Sequence, residues 1–281
     1  MNATELKETL MTYKNNNFQM DESISISELT TAMLREIGNV DPELRDELIY
    51  SSFSQLILED SYSDGELKRI LTTCMDTDHL FYKIGEIGKD SVFTRSFSSL
   101  IIAMILLVNL QKNFLASNDI EQISVSLLKY LDQEQDIRGL VHAKGWAHSI
   151  AHVADALDEL VKQPNLSIEN AENVFTAIFN KMAFNKDYFH YEEDERMANP
   201  VIAMLQRGFS ESMVCEKIAE LANELKQNFS TGDQAYFVYR ANIKQFLRSL
   251  YFHLETIEKN VEVRNSIKQA LEGINQPYYQ M

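Results

Sequence analysis

The sequence is short of residues that make turns. Its 281 residues include nine glycines and four prolines, too few for a β-sandwich or barrel, which needs a turn roughly every 8–12 residues. Cysteine is scarcer. Cys74 and Cys215 lie far apart, without the spacing of a zinc knuckle or the density of a disulfide framework. Each sits in an apolar helical context, which suits a buried thiol better than a nucleophile. Basic charge is also short: 26 Lys and Arg face 42 Asp and Glu, a formal net charge of −16. That field repels nucleic acid and anionic membranes, and no Lys/Arg cluster along the sequence offsets it. Neither partner is expected. The longest apolar run, Leu100 to Val108, falls short of the ~20 residues that span a bilayer. The polar segment Met1 to Asn17 does not read as a signal peptide, so a cytoplasmic location is expected.

What the sequence does have is helical period. With 45% hydrophobic and 24% charged residues, its composition is globular. Asp41-Pro42 and Ser63-Asp64-Gly65-Glu66 read as helix starts, as do Asn118-Asp119, Ser167 and Ser210. Residues 76–90 read as a loop or broken helix with Gly85 and Gly88. The sum is an all-α chain of roughly a dozen antiparallel helices without a convincing strand. Helix pairs recur at about 40 residues, which suggests a HEAT-like helical repeat or α-α superhelix array, although no consensus repeats. No linker stands out. Residues 1–281 read as one helical domain, with residues 1–40 set apart as an N-terminal helical extension.

One helix, Gly145 to Leu160, stands out. Trp146, Ile150, Val153, Leu157 and Leu160 share one side. His148, His152, Asp155 and Glu159 form a polar stripe opposite. Gly145, Ala147, Ala151, Ala154 and Ala156 on the flanks allow neighbouring helices to approach closely. A helix hemmed in on both sides presents its stripe to a groove, not to open solvent. His148 and His152 could share a metal with Asp155 as third ligand. They could equally form a proton relay, a metal-free binding site or a plain solvated face. Ser149 after His148 rules out HExxH.

Other candidates are charged. Arg95 lies in the first turn of the apolar helix, where a cation opposes the helix dipole and needs a carboxylate partner or an anionic ligand. Arg138 and Lys144 could hold an anion at the start of the key helix. Glu192 to Glu195 suit a helix N-terminus, with Arg196 following. No P-loop, GxGxxG, GxSxG or DxDxDG is present.

The run Asp136-Ile137-Arg138-Gly139, Lys144-Gly145-Trp146-Ala147-His148, Ala151-His152 and Ala154-Asp155 has Thr94-Arg95-Ser96-Phe97 upstream and Glu193-Asp194-Glu195-Arg196 downstream. It resembles a bacterial family known only as domain of unknown function 2785, over most of the chain beyond the first 40 residues or so. The Gly-Trp-Ala-His-x-x-Ala-His-x-x-Asp core is the specific part. The resemblance implies a cytoplasmic, all-helical protein of Gram-positive type, without an established activity. It fits a convergence of Arg95, Arg138, His148, His152, Asp155 and Glu195 at one place.

The leading expectation is a binding protein for a small anionic ligand or peptide. Its groove is lined by His148, His152 and Asp155, with Trp146 as anchor and Arg95, Arg138, Lys144 or Arg196 meeting the anion. The first alternative is a metal-dependent hydrolase on His148, His152 and Asp155, with Glu195 or Asp155 as catalytic carboxylate. The second is an interaction scaffold. No cofactor is called for outside the hydrolase reading, which needs a divalent metal; the oligomeric state is left open.

Overall fold

The computed structural model describes residues 1–21, 23–229 and 233–279. The chain divides into two compact units, residues 1–166 and 167–281. No Gly- or Pro-rich linker marks this division. Leu166 runs directly into Ser167, whose side chain caps the next helix, which is why the sequence reads as one domain.

The first unit holds α1 (Ala3–Asn15), α2 (Ile26–Arg35), a π-helix (Glu43–Tyr50) that runs into α3 (Ser51–Leu58), and α4 (Asp64–Cys74). It continues with α5 (Ser91–Lys112), α6 (Ser117–Gln133), strands β1 (Leu140–Val141) and β2 (Gly145–Trp146), and α7 (Ser149–Val161). Local chemistry sets several starts. At α4, Ser63 accepts from the Glu66 N–H while the Glu66 carboxylate accepts from the Ser63 N–H, a complete capping box. Asp41 accepts the Glu43 N–H, but the helix it opens is wound as π before it becomes α3. Such segments are rare and concentrate near functional sites.

α5 is the spine of this unit. It is the one helix among the described residues long and apolar enough to cross a membrane, and 89% of its apolar window is buried within the protein. Ser96, Ser98 and Ser99 of α5, and Ala147, Ala151 and Ala154 at α7, are all essentially inaccessible. These small side chains let α5 and α7 pack closely.

The second unit holds α8 (Ile168–Met182), α9 (Glu193–Gln206), α10 (Glu211–Gln227), α11 (Gln234–Thr256) and α12 (Val261–Tyr279). Ser167, Ser210 and Asp233 cap α8, α10 and α11. α11 packs on α9 and α12, and α10 on α12. The most extensive contacts join next-but-one helices, α5 with α7 in the first unit and α10 with α12 in the second. The architecture is all-α.

Candidate functional site

The Gly145–Leu160 segment does not form one helix. Gly145 and Trp146 belong to a hairpin with Leu140 and Val141. The pairing extends outward as the Ala147 N–H donates to the Gly139 carbonyl (2.8 Å) and the His148 N–H to the Arg138 carbonyl (3.0 Å). α7 begins only at Ser149. Three left-handed residues cause the break: Ala143 (φ 60°), Gly145 (φ 77°) and His148 (φ 46°). At Gly145 a Cβ would lie 2.9 Å from the Pro42 Cβ and 3.0 Å from both Arg45 Nη2 and Asp46 Oδ2, so only glycine fits. Ala143 and His148 occupy a region unfavourable to L-residues. Trp146 therefore does not share a helical face with Ile150 and Val153. It projects from the hairpin, 41% exposed.

Trp146, His148 and His152 still come together, through ring contacts. The Trp146 and His148 rings stack at 4.3 Å between centroids, and His148 meets His152 edge-on at 5.7 Å. His152 is 9% exposed and meets Phe97 edge-on at 5.2 Å. Hydrogen bonding sets its tautomer. The Ser96 hydroxyl donates to the Ala147 carbonyl, which can only accept. The 2.7 Å contact between Ser96 Oγ and His152 Nδ1 then requires the Nδ1–H as donor. Asp155 follows one turn on, half-buried.

Two residues in this surround were missed from sequence, Arg45 and Asp46. Arg45 is fully buried. It donates to the carbonyls of Asn39 (2.7 Å) and Lys144 (2.6 Å) and lies over the rings of Phe93 (4.1 Å) and Phe97 (4.9 Å). It thus ties the π-helix to the hairpin. Asp46 faces the Trp146 N–H, and burial pushes its carboxyl above the ordinary value despite the opposing charge of Arg45. The adjacent charges Arg45-Asp46, set among Leu44, Leu48 and Ile49, were the available signal.

Arg95 and Arg138 are both held in ion pairs. Arg95 is inaccessible to solvent and donates to both Glu134 oxygens, at 2.6 and 2.9 Å. Its remaining N–H groups reach the carbonyls of Tyr82, Lys83 and Glu86. Arg138 forks onto buried Asp136 (2.7 and 2.8 Å) and donates to the Lys89 carbonyl (2.8 Å). Asp136 also accepts the Gly88 N–H. Lys144 pairs with Asp90 at 2.7 Å. Arg95, sealed from solvent, has found the carboxylate partner that the sequence reading allowed for. Together these residues pin the segment from Tyr82 to Asp90, which has no regular structure of its own.

That segment is one wall of a cleft of about 820 Å³. The C-terminal end of α2, with Arg35 and Glu36, and the N-terminal end of α5, with Ser91 and Thr94, form the others. Lys83, Lys89 and Arg35 line it together with Asp78, Glu86, Glu36 and Asp90, so both charge signs face the space. His79 lines it too, with Nδ1 held 2.8 Å from Asp76. The helix dipoles add to this division. α2 brings a partial negative end and α5 a partial positive one. Gly38 closes the floor, where a Cβ would fall 2.0 Å from Thr94 Oγ1.

Glu195 and Arg196 lie on α9 in the second unit. Glu195 pairs with His253 at 2.7 Å. The neighbouring Glu193 is fully buried and accepts the Tyr191 N–H; burial raises its pKa. Among the described residues no group of three or more His, Cys, Asp and Glu side chains is placed to share a metal ion. His148, His152 and Asp155 therefore give no geometric support to a three-ligand centre.

An all-α protein with a strained hairpin leading into a histidine-bearing helix is the class these features define. A family model described as "Protein of unknown function (DUF2785)" matches residues 80–252, and the chain belongs to that family. The match takes in the pinned cleft wall, α5, the hairpin, His148 and His152. No curated protein and no solved structure gives a significant match.

Proposed function

We propose that this is a binding protein that takes a short peptide with free termini in the cleft of the first unit. The carrying observation is the fixed wall. A loop without regular structure is held by a buried ion pair at Arg95–Glu134 and a half-buried one at Asp136–Arg138, so the cleft is preformed rather than assembled on binding. Its volume lies in the range of about 300–1,000 Å³ typical of ligand sites. The two charge signs of its lining suit a ligand with an ammonium at one end and a carboxylate at the other, the peptide branch of the anion-or-peptide expectation. Arg95, Arg138 and Lys144 act in this reading through the wall, and the Trp146–His148–His152 stack supports the hairpin behind it. The reading keeps the cytoplasmic location and the cofactor-free chemistry expected from sequence. The hydrolase alternative lacks a converging ligand set, and nothing favours the scaffold reading over it.

The test is a thermal-shift series with trialanine and with N-acetyl-trialanine amide. Trialanine at millimolar concentration should raise Tm by mass action, and the doubly blocked peptide should not. Equal shifts from both, or from neither, would refute the charge-pairing basis of the proposal.

A further inference from the structure

The second unit carries a concentration of positive charge that reading along the sequence did not show. Arg240, Lys244 and Arg248 recur at four-residue intervals on α11, so they lie along one helical face. Arg240 is 5% exposed. Its guanidinium donates to the Ile274 carbonyl (2.6 Å) and lies 5.4 Å from the ring centroids of both Phe229 and Tyr278. Its side chain also meets the Tyr236 hydroxyl, while among the described residues its Nε–H is buried without a hydrogen-bond partner. One turn on, the Lys244 ammonium lies 5.9 Å from the same Tyr278 ring, and Arg248 follows, exposed.

In a chain of net charge −16, a surface cation ordinarily finds a carboxylate. Burial acts first on Lys244, and the charges of Arg240 and Arg248 act with it. Its amine is accordingly drawn down to about 8. Like charges one turn apart repel, and the helix holds these three in place. An anion relieves that repulsion.

We propose that Arg240, Lys244 and Arg248 form a recognition site for a soluble small molecule bearing a pyrophosphate group. Eight residues of helix span about 12 Å, more than one carboxylate covers and suited to two linked phosphates. Arg240 supplies a fixed charge at the inner end. Lys244 supplies the ammonium contact, and Arg248 a planar fork for phosphate oxygens.

Calorimetric titration of the full chain with pyrophosphate, without divalent metal, tests this. At about pH 8 roughly half the Lys244 amines are neutral, and an anion beside them restores the charge. Pyrophosphate changes its own protonation on binding, so the parent should take up about half a proton more than Lys244→Arg, read from the heats in two buffers of different ionisation enthalpy. Lys244→Met and Arg248→Ala should each weaken binding about tenfold, whereas Lys259→Met, with the same change in net charge, should leave it unaltered. Lys244→Arg should bind and sets the proton balance of the ligand. Absence of binding by the parent, equal losses in Lys244→Met and Lys259→Met, or the same proton balance in the parent and Lys244→Arg would each overturn the proposal. So would binding to anionic phospholipid vesicles with none to pyrophosphate.

Discussion

Arg95 and Glu134 meet through two hydrogen bonds, of 2.6 and 2.9 Å, with both side chains sealed from solvent. The same guanidinium reaches three carbonyls of the segment that walls the cleft. One buried charge pair therefore serves both stability and the shape of the site.

Removing one partner strands the other charge in the interior. Arg95→Met and Glu134→Leu should each cost about 3–5 kcal/mol, and the double variant should cost less than the two singles added. Urea denaturation of the four proteins measures this. Strict additivity would mean that the two side chains do not act as a pair.

The hairpin stores strain at Ala143, exposed and left-handed at φ 60°. Ala143→Gly should raise stability by about 0.5–1 kcal/mol, since glycine adopts this conformation without the Cβ penalty. A drop in the urea midpoint would place Ala143 elsewhere in backbone space.

Trp146 is the single tryptophan, and one face of its indole lies against His148. His148→Ala uncovers that face, so the emission maximum should move to longer wavelength. An unchanged spectrum would show that the stack is absent in solution.

Glu193 gives a pH dependence with a defined sign. Burial raises its folded pKa above the ordinary value of 4.5. The stability it contributes is complete below the unfolded value and is lost as pH rises through the folded one. Glu193→Gln removes that loss. The variant should match the parent near about pH 4 and exceed it in Tm at about pH 7.5; a gap that narrows with rising pH would contradict the assignment.

The helical fold was legible because the cues are local. Ser63 with Glu66, Ser167 and Ser210 announce helices through cap chemistry that depends on a few neighbouring residues. The hairpin was not legible. Trp146, Ile150, Val153 and Leu157 keep a helical period across the break, and the left-handed backbone at Ala143 and His148 leaves no residue-type signature. Gly145 was the visible clue, read as a small helix-packing residue instead of a turn. The histidines were found as residues worth attention, and His152 is buried against Ser96 and Phe97. Arg95 was legible as an arginine needing a counter-charge. Its partner Glu134 lies 39 residues away, a separation that periodicity cannot bridge. The cleft was invisible for the same reason, since α2, the 78–90 segment and α5 meet only in the folded chain.

The most direct test of the central claim is hydrogen exchange of the full chain with and without saturating trialanine. The account predicts slowed exchange in residues 34–39 and 78–94, which line the cleft, and no change in residues 140–152. Protection centred on 140–152, or none in either segment, would contradict it.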